Sequence, residues 1–344
     1  TAHREKDLGI WQAYSWADYL SHARLIGMGL RALGLRRGDV ISVLSEDNKE
    51  WMYCDMAAQC MGAVSSGVYT TDSASQLAYL VNDSGSKFLF VENEEQLDKY
   101  LEVADQMPSL HRVIIFDPEG LHDFAHPGCL FLSDLHELGR RHDDEALFNA
   151  EIDAVRAEDV AVLIYTSGTT GQPKGVMLTQ ENIVAGMESS LYGLPFEKRA
   201  EQLCFLPLCH ILERIVSLYT PLVVSSTVNF AESPETVFDN LREVSPHGFV
   251  AVPRVWEKVY SRVTVMAQEA TLIGRWAFGQ AIKAGRARAE YTIEGRPVPA
   301  SVALRYRVWD FLVLANLRRL LGMDRMIQGL TGAAPILPEL LRWY

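Results

Sequence analysis

Residues 163–175, LIYTSGTTGQPKG, constrain the fold of this chain more than any other stretch. An apolar run, VAVLIY, leads into a loop of Thr, Ser and Gly that closes on Pro173, Lys174 and Gly175, and a second apolar run, VMLT, follows. Two strands joined in this way present backbone N–H groups, hydroxyls and one cation to a polyphosphate. Gly168, Gly171 and Gly175 permit positive φ and close approach of backbone to a ligand. Lys174 supplies a compact charge, and Pro173 stiffens the turn before it. The common nucleotide loop, G-x-x-x-x-G-K-[ST], needs a glycine where Pro173 stands and a helix where VMLT follows, so this is a different device. A surface hairpin with an incidental lysine is the plain alternative. The gathering of small and hydroxyl residues between two apolar runs argues against it.

The rest of the chain supplies a frame for such a loop. Residues 15–33 have apolar side chains at helical spacing (Tyr19, Leu20, Ala23, Ile26, Leu30) and stop at Gly34. VISVLS, GAVSSGVY, KFLFV and RVIIF then read as strands, separated by helical segments at 50–61, 75–81 and 94–107. Strands alternating with helices at this interval predict crossover units and a mainly parallel sheet, hence an α/β fold. A loop at 117–127 precedes a polar, helix-prone stretch at 133–158, where a seam is expected. The reading is a first α/β subdomain at 1–155 and a second at 156–344 that carries the phosphate loop. QLCFLPL, TVNF, GFVAV and MIQGLTG continue the strand series, with helices at 182–191, at 211–224 (kinked at Pro221) and at 234–244. The sequence beyond Arg254 is strongly helical.

Bulk properties narrow the classes. At 344 residues and 48% hydrophobic content the chain can bury a large core. A net charge of −12 argues against nucleic acid as a partner. No stretch reads as a transmembrane segment; peripheral membrane contact and a homodimer stay open. The five cysteines form no C-x-x-C pair, which fits reduced thiols and a cytoplasmic setting. His122 and His126 are four apart, but Gly120 and Pro127 oppose a zinc-binding helix there. His210 and Glu213 have no third metal ligand nearby, and no G-x-S-x-G elbow occurs.

YTSGTTGQPKG resembles the phosphate-binding signature of the adenylate-forming enzymes, which include acyl-CoA synthetases, luciferases and peptide-synthetase adenylation domains. LPLCHILER (206–214), VPRVWEKVY (252–260) and TGAAPI (331–336) follow in the family's order, and the helical insertion near 259–321 is similar to the long-chain acyl-CoA synthetase branch. The resemblance implies the layered α/β N-terminal domain of that fold, incomplete at its C-terminal end. It implies fatty-acid activation by ATP: an acyl-adenylate forms with release of pyrophosphate, then CoA displaces AMP. An adenylating ligase for another carboxylic acid, or a non-catalytic acyl or nucleotide-binding module, is the alternative. ATP, Mg²⁺, CoA and a long-chain fatty acid are the implied ligands.

Residue by residue, the resemblance puts the phosphates on Ser167, Gly168, Thr169, Thr170, Gly171 and Lys174, with Thr166 near Mg²⁺. It places His210 at the acyl carboxylate and adenine against Gly332, Ala333, Ala334 and Pro335. Arg214, Val252 and Trp256 fall in segments that resemble the acyl-binding region. His210 alone would read equally well as a helix cap. The start at Thr1 and the stop within PELLRWY suggest a piece of a longer protein, one that on its own would not catalyse the reaction. The family's later motifs, a Y-G-x-[TS]-E glutamate, a ribose-binding aspartate and a C-terminal lysine, are expected outside these 344 residues.

Overall fold

The apolar runs become strands of mainly parallel sheets in the computed structural model, which describes residues 1–166, 171–193 and 199–344. A hairpin of β1 (His3–Asp7) and β2 (Ile10–Tyr14) comes first, before α1 (Trp16–Ala32). Ser15 and Asp18 start α1 reciprocally, each side chain accepting from the other's backbone N–H. Strand and helix then alternate through β3 (Val40–Leu44), α2 (Lys49–Cys60), β4 (Val64–Val68), α3 (Ala74–Ser84), β5 (Phe88–Val91), α4 (Glu94–Val103) and β6 (Arg112–Ile115). β7 (Cys129–Phe131), α5 (Leu132–Arg141) and α6 (Glu145–Asp153) lead to β8 (Val160–Thr166), β9 (Lys174–Thr179) and α7 (Gln180–Gly193). After β10 (Glu201–Cys204) come α8 (Ile211–Glu213), a widened π turn at Arg214–Tyr219, α9 (Thr220–Val224) and β11 (Thr227–Phe230). The remainder holds α10 (Val237–Val244), β12 (Gly248–Ala251), α11 (Pro253–Glu269), α12 (Leu272–Ile293), α13 (Ala300–Trp309), a second π turn at Asp310–Leu314, α14 (Ala315–Leu321), β13 (Gln328–Thr331) and α15 (Pro338–Leu341).

The chain divides into two units, Thr1–Arg199 with Cys204–Ala231, and Ala200–Leu203 with Glu232–Tyr344. In the first, a sheet in the order β7-β6-β5-β3-β4-β8-β9 is parallel except for its last pair. Helices cover both faces, and the central strands VSSGV and FLFV are buried at every position, as parallel strands must be. Trp51, Phe88, Phe90 and Phe148 are fully enclosed; truncating one of the phenylalanines to alanine would cost about 3–5 kcal/mol. β1 also pairs with β11 in parallel, His3 opposite Val228. In the second unit β12 is parallel to β10 on one side and β13 on the other.

The seam expected at residue 155 lies inside the first unit. β8 pairs with β4, Ser65 opposite Val162, so later sequence completes a sheet begun by earlier sequence. The irregularity expected at Pro221 lies one turn earlier, in the π stretch, and Pro221 opens α9. A proline there has no N–H for the preceding turn, and its fixed φ suits a helix start. Among the described residues no helix is long and apolar enough to cross a membrane, and all five cysteines are free thiols.

Candidate functional site

Antiparallel pairing of β8 with β9 sets Thr166 directly opposite Lys174 and Tyr165 opposite Gly175. The phosphate-loop residues Ser167, Gly168, Thr169 and Thr170 lie outside the described residues. Gly171 has the left-handed φ of +112°, and among the described residues a Cβ built on it would meet nothing within 4 Å. Thr166 and Lys174 are both exposed, and among the described residues Lys174 has no ion pair.

One helix braces this hairpin. Tyr79 Oη donates to the Pro173 carbonyl at 2.9 Å, and Tyr165 Oη donates to Asp83 at 2.7 Å. Tyr79 and Asp83 are one turn apart on α3, so a single helix face holds both strands at the mouth of the loop. Burial and the Asp83 carboxylate push the Tyr165 phenol well up, keeping it a proton donor. The Tyr165 ring also covers Gly175, where a Cβ would lie 3.2 Å from Cζ. Nothing in the sequence alone marks Tyr79 or Asp83 as partners of this hairpin. The aromatic that ends the VAVLIY run was the one available sign.

His210 caps α8 with extended backbone, its Nδ1 accepting from the Leu212 N–H at 3.2 Å, and the residue is exposed. The turn before it is clamped at Leu208. Asp47 accepts the Leu208 N–H at 2.8 Å, and Arg214 Nε donates to the Leu208 carbonyl at 2.8 Å. Arg214 is itself fully buried. Its guanidinium meets Asp55 at 3.1 Å and lies 4.5 Å from the Trp51 ring centre. Asp55 also accepts from Gln59 at 2.6 Å and from Tyr219 at 3.2 Å, and Gln59 donates to Tyr219 at 2.9 Å. The turn sits hard on β4: a Cβ at Gly67 would lie 2.6 Å from Cys209 Cα. Beneath it Glu213, only 1% exposed, accepts from Ser217 at 2.7 Å, and burial lifts its carboxyl to about 7. Burial and Glu213 together hold Asp47 well above the usual carboxylate range.

In the second unit Trp256 is buried against β13. Its indole N–H donates to the Leu330 carbonyl at 3.1 Å, and a Cβ on Gly329 would stand 2.7 Å from its ring. Phe249 and Tyr344 meet it edge-on at 5.4 and 5.0 Å. Val252 caps α11, whose first residue is Pro253. β13 then delivers Thr331 into the TGAAPI turn. There Ala333, Ala334 and Pro335 are exposed, Gly332 has open space on its Cβ side, and Ala333 takes the left-handed φ of +66°. Thr331 Oγ1 is buried with no hydrogen-bond partner among the described residues. A cavity of about 640 Å³ adjoins it, lined by Trp256, Tyr306, Leu314, Leu330, Thr331 and Tyr344 among others. The expected acyl-binding residues thus fall in both units, His210 and Arg214 in the first, Val252 and Trp256 in the second.

These sheets and this hairpin make the fold that of an adenylation domain. The A domain of a carboxylic acid reductase from Segniliparus rugosus, solved with AMP, superposes with a TM-score of 0.71 at 19% identity, over 98% of this chain and 54% of that one. The anthranilate CoA ligase AuaEII gives 0.64 at 21% identity, over 75% of this chain and 48% of that one. The chain belongs to the AMP-binding enzyme family, whose profile matches residues 2–344. Among curated relatives it is 32% identical over 348 residues to the long-chain-fatty-acid–CoA ligase ACSBG1 of Rattus norvegicus, covering 97% of this chain and 46% of that protein. It is 29% identical over 340 residues to ACSBG2 of Homo sapiens, covering 97% and 50%. The chain spans about half the length of the curated relatives it matches.

Proposed function

We propose that the chain forms part of an enzyme that activates long-chain fatty acids, joining the acid to AMP and then passing the acyl group to CoA. The observation that carries this reading is the β8–β9 hairpin. An exposed lysine, without an ion pair among the described residues, stands opposite a hydroxyl, and Gly171 beside them takes a left-handed backbone that suits close approach of a ligand. Attack of a carboxylate on a triphosphate brings two anions together, so charge neutralisation and positioning matter more than a protein nucleophile. Lys174 neutralises the phosphates, while Thr166, Ser167, Gly168, Thr169, Thr170 and Gly171 donate to them. Among the described residues no set of three His, Cys, Asp or Glu could hold a metal. Mg²⁺ would arrive with the polyphosphate, with Thr166 as a hydroxyl ligand.

His210 borders the reacting carboxylate. Arg214 acts through Leu208 and holds the turn, rather than touching the acid. Gly332, Ala333, Ala334 and Pro335 border the adenine ring; the Thr331 hydroxyl, unpartnered among the described residues, and the side of Gly332 that no described residue fills suit a flat polar ring there. Trp256 holds β13 and so positions that turn; Val252 belongs to the acyl wall. The long-chain assignment draws on the printed names of ACSBG1 and ACSBG2. Thioester formation by the full chain, followed across straight-chain acids of increasing length, tests it. Turnover should rise with chain length to a long-chain optimum. An optimum among short or aromatic acids would assign the adenylating chemistry to another substrate.

A further inference from the structure

Two acids organise the turn that carries His210. Asp47, in the loop after β3, accepts the Leu208 N–H at 2.8 Å. Glu213, the last residue of α8, accepts the Phe205 N–H as well as the Ser217 hydroxyl. Between these anchors His210 donates its N–H to the Pro207 carbonyl at 2.9 Å and accepts the Arg214 N–H at 3.3 Å. Any movement of α8 away from the end of β3 therefore moves His210. The thiol of Cys204, at the end of β10, lies within hydrogen-bonding reach of both carboxyls. A thiol has one proton, so it serves only one of the two acids. The other must bring a proton of its own or face the sulfur as an anion. The surroundings favour the proton. Glu46 adds a further negative charge beside Asp47. Arg214 is committed to Asp55 on α2, and among the described residues neither Asp47 nor Glu213 has an ion pair. Cys209, in contact with Tyr69, also faces Asp47 and stays a neutral thiol, pushed up to about 12 by burial. Asparagine and glutamine would accept the same N–H groups without the cost of burying charge. Acids at both places point to a role in which their protons matter.

We infer that Asp47 and Glu213 are positioning residues for His210, a pair whose shared proton keeps the turn in place for the carboxylate of the acid substrate. The inference rests on the reading of His210 given above. While one proton stays on the pair, both acids and the Cys204 thiol are satisfied and α8 stays against the end of β3. As pH rises that proton leaves to solvent, and two carboxylates face each other without an ion-paired cation. Their repulsion falls on the Leu208 and Phe205 anchors and loosens the turn. It also adds negative charge beside the place an incoming carboxylate must enter. Both effects weaken binding of the acid, and neither acts on the β8–β9 hairpin. Glu213 keeps its proton up to about 7, so the change falls in the neutral range.

Two readouts on the complete protein test this. Hydrogen exchange across 204–213, corrected for the intrinsic effect of pH, should show the Phe205 and Leu208 amides losing about tenfold in protection between about pH 6 and pH 9. Steady-state adenylation should show KM for the acid rising about tenfold over the same interval, while KM for ATP holds within about twofold. Glu213→Gln keeps an acceptor for Ser217, and Asp47→Asn keeps one for Leu208. In each variant both changes should shrink below about twofold. Titration of His210 or of the fatty acid itself would persist in the variants, so only the part they remove belongs to the pair. Should one variant melt early, the other decides alone. Exchange and KM profiles that run parallel in variant and parent would overturn the inference. So would KM for ATP rising as steeply as KM for the acid, which would mark a general loosening of the fold. A protein that adenylates no acid would count against the fatty-acid reading instead, and the exchange profiles would still decide whether the pair holds the turn.

Discussion

Arg214 and Asp55 stand 159 positions apart in the chain, yet their side chains form an ion pair at 3.1 Å with no solvent exposure on either side. The pair joins α2 to the π turn after His210, and its arginine also grips the Leu208 carbonyl in the His210 turn. A buried charge pair of this kind is costly to break from one side, because the remaining ion has neither water nor partner. Arg214→Leu should therefore destabilise the fold by about 3–5 kcal/mol. Arg214→Leu combined with Asp55→Leu should recover part of that loss. Urea unfolding of the two variants measures both effects. A double variant less stable than the single one by a further 3 kcal/mol or so would show that the pair is not the coupled unit described.

Glu213 makes the stability of the first unit depend on pH. Its carboxyl has an ordinary value of 4.5 and rises to about 7 in the fold. Between those values the folded chain holds a proton that the unfolded chain has released, so this group's contribution falls as pH rises through the window. Glu213→Gln keeps an acceptor for Ser217 and cannot ionise. The variant should match the parent near pH 4 and exceed it at pH 8 by up to about 3 kcal/mol. Unfolding free energies at several pH values check this. Parallel profiles for the two proteins would exclude Glu213 as the titrating group.

Gly67 owes its identity to the His210 turn. A methyl group there would stand 2.6 Å from Cys209 Cα and 2.7 Å from Cys209 Cβ, and backbone cannot swing aside as a long side chain can. Gly67→Ala should cost about 1–3 kcal/mol and displace the turn. In the full chain it should also raise KM for the acid more than for ATP. Thermal melting and steady-state kinetics together report both, and an alanine variant with unchanged melting would refute the close approach.

Much of the frame was legible in the sequence, because buried parallel strands such as FLFV and apolar runs such as VAVLIY carry their own signature. The N-terminal hairpin was not. HREKD has no apolar alternation, and β1 is held by a partner, Val228, more than two hundred residues away. The return of β8 to pair with β4, Ser65 opposite Val162, is hidden from the sequence for a similar reason. At the candidate site, Lys174 and His210 were visible as chemistry-bearing residues in suggestive surroundings. The residues that hold their turns were not, because Asp55, Asp47 and Tyr79 reach them only through the tertiary fold. The small side chain of Ala333 is visible in the sequence, but its positive φ is a property no side chain announces.

Lys174 should matter to nucleotide chemistry and little to folding. Its side chain is exposed at the end of β9 and has no ion pair among the described residues, so Lys174→Ala removes charge without opening a cavity. Adenylation by the full chain should fall about 10- to 1000-fold, as when one charged contact to a reacting phosphate is lost. Melting should stay nearly unchanged. A variant of full activity would remove Lys174 from the phosphate site.

The most direct test of the account is acid-dependent exchange of labelled pyrophosphate into ATP, in the presence of Mg²⁺, by the complete protein of which these 344 residues are expected to be a part. Exchange requires that an acyl-adenylate form reversibly, with the β8–β9 hairpin holding the departing phosphates. The account predicts rapid exchange with long-chain fatty acids, little without acid, and a large loss on Lys174→Ala. Exchange that proceeds equally without acid, or none with any carboxylic acid, would contradict it.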